Sequence, residues 1–155
     1  MATYKGKFKP VNWKKYKGNV DNITYRSSWE LSAFKVFDDN TNIVKWSSED
    51  HKCIVPYYNP IKKRNARYFC DAWTKVKQSD GTYKEFLVEI KPLKETVAPK
   101  PPRTNNRKAQ QRFEYQKATW IVNSAKWDAA RKYCKKHNME FIYLTEQDLV
   151  RGKKK

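Results

Sequence analysis

The residues best placed to do chemistry lie in the stretch FLVEIKP, residues 86–92. Its apolar residues are typical of a buried strand, and a protein core rejects charges such as Glu89 and Lys91 unless they are paired or used. Because side chains alternate along a strand, both charges share a face with Leu87. The stretch therefore indicates either a salt bridge on an edge strand or a site that uses the two charges.

A second carboxylate is brought to Glu89 by the turn before this strand. If residues 79–81 (SDG) form a three-residue hairpin loop with Gly81 in the left-handed conformation, residues whose numbers sum to 160 lie opposite each other. Asp71 then faces Glu89 with Cβ atoms roughly 4.5–5.5 Å apart, and the like charges repel. A divalent cation would offset this repulsion, since hard cations prefer oxygen ligands. A two-residue loop would instead place the carboxylates on opposite faces.

Glu30 is a third carboxylate, and two patterns explain it differently. Ser27 and Glu30 fit a capping box, with Ser27 as N-cap and Glu30 at position N3. On a helical wheel, Glu30 also lies between Phe34 and Phe37, inside the apolar arc of the same helix. Glu30 is thus predicted to be a helix cap or a site residue, and both interpretations stay open.

The elements that must position these carboxylates follow from the hydrophobic pattern. After the helix that starts at Ser27, the pattern predicts strands over 43–46, 52–58, 66–76 and 83–91, a helix over 107–122, a second helix that restarts at NSAKW and runs to about 137, and a last strand EFIYLT. This order predicts an α/β fold with a mixed central β-sheet flanked by helices. We expect an N-terminal arm over 1–26, one domain over 27–150 with a surface linker over 92–106, and a basic tail over 151–155.

The charge of the chain points to a polyanionic partner. The 155 residues carry 34 Lys and Arg against 16 Asp and Glu, a formal net charge of +18. Nucleic acid is the commonest partner of such a chain, although a merely soluble basic surface is the alternative. Candidate phosphate contacts are Lys14, Lys15 and Lys17 of the arm, Arg26, and Lys62, Lys63 and Arg64 of a basic connector. The aromatic rings of the arm could instead pack it against its own domain.

Several other classes of site are excluded by composition. Cys53, Cys70 and Cys134 are widely spaced and form no CxxC pair, so neither a disulfide framework nor a zinc site is indicated. No apolar run is long enough for a membrane span, and the first ten residues lack the apolar stretch of a signal peptide. We therefore expect a protein of a reducing, cytosol-like compartment.

The set of an acidic helix residue, an Asp before a hairpin and an apolar strand with Glu-x-Lys resembles the PD-(D/E)XK nuclease superfamily. The wider chain resembles the head completion nucleases of large tailed phages, which are similar to TnsA-type transposon endonucleases. The matching stretches are ITYRSSWE (23–30), IVPYY (54–58), RYFCDAW (67–73), VEIKPLKET (88–96) and VNSAKWDAA (122–130). Cys70 departs from the Pro that often precedes the Asp, a position that mainly shapes the backbone.

The resemblance implies roles for these residues, with Glu30, Asp71, Glu89 and Lys91 as the catalytic set. Asp71, Glu89 and the Ile90 carbonyl would hold Mg²⁺ or Mn²⁺, and Glu30 would support a second ion or a metal-bound water. Lys91 would position that water or stabilise the phosphorane. Weaker candidates are Glu49 for the metal and Lys117 and Lys126 for the DNA backbone; for both lysines an exposed helix surface is the alternative.

The function that the resemblance implies is a metal-dependent DNA endonuclease of phage head completion. Its substrates would be branched or overhanging ends of packaged DNA, and its partners DNA and the head or portal-neck proteins. It would act in the host cytoplasm or within the virion head. The alternatives are a non-catalytic, DNA-binding structural protein with the same fold, and an RNA-binding basic protein.

Overall fold

The computed structural model describes residues 5–48 and 53–153, and residues 150–153 by their backbone alone. The elements in chain order are β1 (Gly6–Lys7), β2 (Thr24–Tyr25), α1 (Ser28–Asp39), β3 (Ile43–Ser48), β4 (Ile54–Asn59), β5 (Arg64–Phe69), β6 (Ala72–Lys77), β7 (Tyr83–Ile90), α2 (Arg107–Lys136), β8 (Met139–Leu144) and α3 (Glu146–Lys153). Short 3₁₀ turns occur at Trp13–Lys15 and Leu93–Thr96.

A four-stranded sheet in the order β3–β6–β7–β8 forms the centre of the fold. The first three strands pair antiparallel, and β8 pairs parallel to β7. A parallel neighbour requires a crossover connection, and α2 supplies it between β7 and β8. The predicted α/β class with a mixed, helix-flanked sheet is therefore confirmed.

The two faces of the sheet pack on different helices, as strand alternation dictates. Ala72 and Val88 lie in the hydrophobic cluster on the α1 side. Trp73 and Leu87, their neighbours in sequence, lie in the cluster that contains residues of α2 and of the β4–β5 hairpin. Glu89 shares the face of Leu87, so its side chain is directed to the side of α2 and the hairpin.

The strand expected over 66–76 is in fact two strands that belong to different sheets. β5 pairs with β4 in a separate two-stranded hairpin, and β6 belongs to the central sheet. The chain crosses between them at Cys70 and Asp71, where the Cys70 N–H donates to the Cys53 carbonyl and the Asp71 carboxylate accepts from the Ile90 N–H. These two bonds satisfy backbone groups that a straight strand would have paired in a ladder.

The two helices expected over 107–137 are one continuous helix, α2, of thirty residues. Asn106 caps its start by accepting from the Lys108 N–H, and Ser124 lies inside the helix rather than at an N-cap. The apolar stripe continues through that point, since Trp120 and Trp127 lie two turns apart with ring centroids 5.7 Å from each other. Among the helices of the described ranges, none is both long and apolar enough to cross a membrane.

The N-terminal segment is packed on the domain, the second of the two alternatives. Phe8 and Ile23 are buried in the cluster on the α1 side. The buried Asp38 carboxylate of α1 accepts hydrogen bonds from the Val11 and Asn12 N–H groups at 2.8 and 2.9 Å. A domain boundary at residue 26 therefore does not separate this segment from the core.

The boundary expected at residue 150 is likewise crossed by an element, because α3 continues to Lys153. The Asp148 carboxylate accepts from the Thr145 N–H at the start of this helix. Leu149 is buried against the α1-side cluster, which fixes the helix to the domain. The linker over 92–106 is surface chain that contains one 3₁₀ turn, and Glu146 holds it by accepting from the Leu93 N–H at 2.9 Å.

The role of Lys15 in the structure differs from the phosphate contact expected from the sequence. The Lys15 ammonium donates at 2.6, 2.8 and 2.8 Å to the carbonyls of Phe37, Asp38 and Asn40. These carbonyls lie at the end of α1, where no following turn of helix supplies N–H partners. Desolvation lowers the pKa of this lysine, and the nearby Asp38 and Asp39 partly offset the effect. Lys15 is thus a helix cap, and its proposed phosphate contact is corrected.

We predict that Lys15→Ala lowers the free energy of unfolding by about 1.5–3 kcal/mol, since three carbonyls lose a charged donor. Lys14→Ala is the matched control, because the Lys14 ammonium lies 5.6 Å from the ring of the exposed Trp13. Urea denaturation of both variants measures the difference. Equal stability of the two variants would contradict the capping role.

Candidate active site

The hairpin that joins β6 to β7 has the predicted register. The Gln78 N–H donates to the Thr82 carbonyl at 2.7 Å, and Gly81 has a φ of +88°, which only glycine adopts without strain. All six pairs of the ladder, from Ala72 with Val88 to Lys77 with Tyr83, have residue numbers that sum to 160. The three-residue loop is thus confirmed, and Asp71 stands one position beyond the ladder, opposite Glu89.

Asp71 lies within electrostatic and hydrogen-bonding reach of Glu89. One Asp71 oxygen, Oδ2, accepts from the Ile90 N–H at 2.7 Å, and this bond fixes the carboxylate at the end of the strand pair. Burial raises the pKa of Asp71, and the Glu89 charge raises it further. The pair therefore binds a proton more readily than an isolated carboxylate does when no cation lies between the two groups.

Glu89 is buried, with 7% of its surface exposed, and is surrounded by donors. The Tyr68 hydroxyl donates to its Oε2, and the Lys91 ammonium lies 4.0 Å from its Oε1. Burial raises the pKa of Glu89, and Tyr68, Lys91 and Lys126 act in the opposite direction. The pKa of Glu89 thus stays above its ordinary value, although these three neighbours limit the rise.

Tyr68 is a site residue that sequence reasoning missed. It is buried in β5, on the side that packs against α2, and burial raises the pKa of its hydroxyl, with the Glu89 charge as the next cause. A buried tyrosine hydroxyl usually has a hydrogen-bond partner, so its place in RYFCDAW was a signal that some partner exists. The identity of that partner depends on how the β4–β5 hairpin lies over the sheet, which no local pattern reveals.

Glu30 makes capping hydrogen bonds and also lies within electrostatic reach of Asp71. Ser27 caps α1 by accepting from the Glu30 N–H at 3.1 Å, and the Glu30 carboxylate accepts from the Arg26 N–H at 3.3 Å. Burial raises the pKa of Glu30, and the Asp71 charge raises it further, so Glu30 also faces the site. Glu49 lies outside the described residues.

The residues fit a hard divalent cation, although they do not enclose one. Within residues 5–48 and 53–149, no three His, Cys, Asp or Glu side chains converge closely enough to hold a metal by themselves. The observed arrangement is a carboxylate pair, Asp71 and Glu89, with Glu30 further back. Two facing, partly desolvated carboxylates are a donor set that Mg²⁺ or Mn²⁺ accepts, since Mg²⁺ is usually bound by one or two carboxylates with waters and substrate phosphates.

Two cations join this carboxylate pair. Lys91 is partly exposed beside Glu89. The Lys126 ammonium of α2 lies 6.0 and 5.7 Å from the ring centroids of Tyr57 and Tyr68, and its charge lowers the pKa of Glu89. Glu30, Asp71, Glu89, Lys91 and Lys126 thus form one neighbourhood.

The other candidate DNA contacts lie apart from these residues. Arg26 is exposed beside Glu30, and the Lys17 ammonium lies 5.5 Å from the ring of Trp73. Lys62, Lys63 and Arg64 are exposed at the turn of the β4–β5 hairpin, whose other end leads to Asp71. Lys117 is exposed on α2, 3.7 Å from Glu114. These residues can extend a binding surface, and among them Arg26 contacts a carboxylate of the site, through its backbone N–H to Glu30.

We predict that Asp71→Asn leaves the metal-free protein as stable as wild type or more stable, because it removes one of two facing charges while the amide oxygen can still accept from Ile90. Folding raises the pKa of Asp71 from 3.8 to about 7. Between these two pH values the folded protein binds more protons than the unfolded chain, so wild type loses stability as the pH rises through this range. The advantage of the variant should grow from pH 4 to pH 7 and then level off.

Thermal unfolding in EDTA at several pH values measures this difference. Asp128→Asn is the control, since it removes an exposed carboxylate that pairs with Arg131. A clear drop in the midpoint of Asp71→Asn at neutral pH would show that Asp71 is chiefly a structural acceptor.

Comparisons with known proteins identify the family of the chain. A family model described as TnsA-like endonuclease N terminal matches residues 40–146, which include Asp71, Glu89, Lys91 and Lys126 but not Glu30. The head completion nuclease of Enterobacteria phage T4 is 40% identical to this chain over 146 residues, 94% of this chain and 93% of that protein. No solved structure matches the chain. With a buried carboxylate pair inside the matched region, the chain belongs to the TnsA-like endonuclease family.

Proposed function

We propose that this protein is a Mg²⁺- or Mn²⁺-dependent DNA endonuclease that acts in phage head completion. The family membership supports the nuclease activity, and the similarity to a head completion nuclease over nearly its whole length supports the setting. Its substrates would be branched or overhanging ends of packaged DNA, processed before neck and tail attach. The host cytoplasm and the virion head are the proposed sites of action.

The observation that carries this proposal is the opposition of Asp71 and Glu89. Their repulsion disfavours the metal-free protein. In a chain of net charge +18, two such carboxylates would be removed by any selection for DNA affinity alone. A cation that binds both carboxylates explains why they face each other.

Each side chain then has a defined task. A bound ion would lower the pKa of a water and neutralise charge that develops on the phosphate. Asp71, Glu89 and the Ile90 carbonyl are the proposed ligands, and Glu30 is placed to orient a water or support a second ion. Lys91, next to Glu89, is placed to hold a phosphate oxygen and stabilise its charge.

Tyr68 and Lys126 act through Glu89. The Tyr68 hydroxyl holds the carboxylate in one orientation, as the partners of metal ligands commonly do. Lys126 opposes the rise in the pKa of the Glu89 carboxylate and offers a positive charge at the edge of the site. Further from the site, the proposed contacts to the DNA backbone are Lys14, Lys17, Arg26, Lys62, Lys63, Arg64 and Lys117.

We predict that cleavage of DNA requires Mg²⁺ or Mn²⁺ and stops with EDTA. Lys91→Ala should abolish cleavage and still bind DNA, because most of the affinity comes from charge distributed over the surface. Lys84→Ala is the matched control, because Lys84 lies on the same strand, pairs with Glu140, and stands at the opposite end of β7. Incubation with duplex, single-stranded, flapped and Y-shaped DNA, with binding measured in parallel, provides the readout.

Undiminished cutting by Lys91→Ala would refute the role of this lysine. Binding by wild type without cleavage under any metal would favour the alternative function, a non-catalytic DNA-binding protein of head completion.

We predict that Tyr68→Phe weakens metal binding or activity by about 10- to 100-fold, as loss of a partner of a metal ligand typically does. Tyr57→Phe is the control, because the Tyr57 ring also lies beneath Lys126. Titration of Mn²⁺ by calorimetry and cleavage as a function of Mn²⁺ concentration both report the change. If both variants behave like wild type, the hydroxyl of Tyr68 does not position Glu89 for the metal.

A further inference from the structure

The outward face of the β4–β5 hairpin is aromatic and basic, although nothing in the site described above uses it. The inward face, with Val55 and Tyr68, is buried against α2. On the outward face Tyr58 is 55% exposed and Phe69 is 52% exposed. Large apolar side chains in a solvent-facing ribbon indicate an interaction surface when they occur together.

The charged side chains of the hairpin itself are all positive. The segment from Cys53 to Cys70 contains no Asp or Glu. Arg67 projects from the same face, with its guanidinium 5.5 Å from the centroid of the Phe69 ring. At the turn, Lys62, Lys63 and Arg64 are exposed.

The turn that carries these cations is well defined. The buried Asn59 accepts from the N–H groups of Ile61 and Lys62 through its side-chain oxygen, both at 3.0 Å. Lys63 has a φ of +53°, a backbone conformation rare outside glycine and asparagine. Lys62, Lys63 and Arg64 thus lie on a well-defined turn, at the end of the hairpin away from Phe69.

We propose that this outward face, formed by Tyr58, Arg67 and Phe69 with Lys62 and Lys63 of the turn, binds single-stranded DNA. Exposed rings beside cations are the features with which proteins bind unpaired strands: bases stack on the rings and phosphates meet the cations. Duplex DNA offers phosphates but no free base faces, so the rings favour an unpaired strand. Pro56 of β4, which pairs with Arg67 of β5, lacks an N–H. It therefore disfavours the addition of a strand from another protein along this edge.

The position of the face links it to the carboxylate pair. Phe69 lies two residues before Asp71, and Tyr68, between Arg67 and Phe69, donates to Glu89 from the opposite side of β5. From Arg64, next to the turn, to Phe69, β5 extends over roughly 17 Å, since a strand rises about 3.3 Å per residue. A single strand bound here would lead from the turn to the site; this role in substrate choice depends on the proposed nuclease function, whereas the binding does not.

Binding in EDTA tests the proposal without cleavage. The full-length wild type and the Tyr58→Ala/Phe69→Ala variant are titrated against a fluorescent oligodeoxythymidine and against a duplex of mixed sequence, at fixed salt. The variant should lose about tenfold or more in affinity for the single strand, since stacking contributes about 1–3 kcal/mol per base. Its affinity for the duplex should change by about twofold at most, because duplex binding depends mainly on phosphate contacts.

The matched control is Tyr83→Ala, because Tyr83 is 56% exposed, has the Lys75 ammonium 5.3 Å from its ring, and stands at the remote end of β7. Arg67→Gln should lower the slope of log affinity against log salt by about 0.7 on the single strand. Circular dichroism and thermal unfolding establish that each variant is folded.

Three results would overturn the proposal: a wild type that does not bind oligodeoxythymidine, a folded double variant with unchanged single-strand affinity, or equal losses on single strand and duplex. The last result would mark the face as part of a general basic surface. A wild type that binds the single strand through these rings but cleaves nothing with Mg²⁺ or Mn²⁺ would refute the nuclease function and leave the binding face intact.

Discussion

The opposition of Asp71 and Glu89 is the constraint on which the rest of the structure depends. A hairpin does not tolerate facing carboxylates without compensation. Here the Ile90 N–H bonds to Asp71, while the Tyr68 hydroxyl, Lys91 and Lys126 stabilise the charge on Glu89. These four residues lie on β5, at the end of β7 and on α2. The three elements must therefore meet at one place for the facing carboxylates to be tolerated.

The same constraint explains why an acidic centre occurs in so basic a protein. The net charge of +18 attracts a polyanion but cannot activate a water to attack it. Carboxylates can hold the ion that does so, yet they repel the phosphates that the surface attracts. The partly exposed Lys91 beside the buried Glu89 reconciles these demands, since the carboxylate lies within the fold and the ammonium lies nearer to solvent.

The parts of this arrangement that sequence could predict are those set by local rules. The SDG loop and the alternation of FLVEIKP determined the register, because a glycine at positive φ and a period of two leave few choices. Ser27 as N-cap followed from the capping box. The continuity of α2 could not be predicted in this way. Ser124 is a good N-cap residue, but such a residue marks the start of a helix only where no apolar packing face continues through it.

The parts that sequence could not predict depend on contacts between distant segments. Tyr68 meets Glu89, 21 residues later, only because the β4–β5 hairpin lies over the sheet beside α2. Lys15 lies in a basic segment and therefore resembles a DNA contact in the sequence. It caps α1 instead, because the N-terminal segment crosses the end of that helix. In a chain with 34 lysines and arginines, charge alone cannot separate such a cap from a contact.

β5 shows how closely the two proposed activities depend on one register. Arg67, Tyr68 and Phe69 are consecutive, and alternation sends Tyr68 inward to Glu89 and its two neighbours outward. A slip of one residue would exchange the two faces, removing the donor from Glu89 and burying a guanidinium. The pairing of Tyr68 with Val55, which lies in the α2-side core, opposes that slip. The packing that orients the Glu89 carboxylate therefore also directs the Phe69 ring and the Arg67 guanidinium outward.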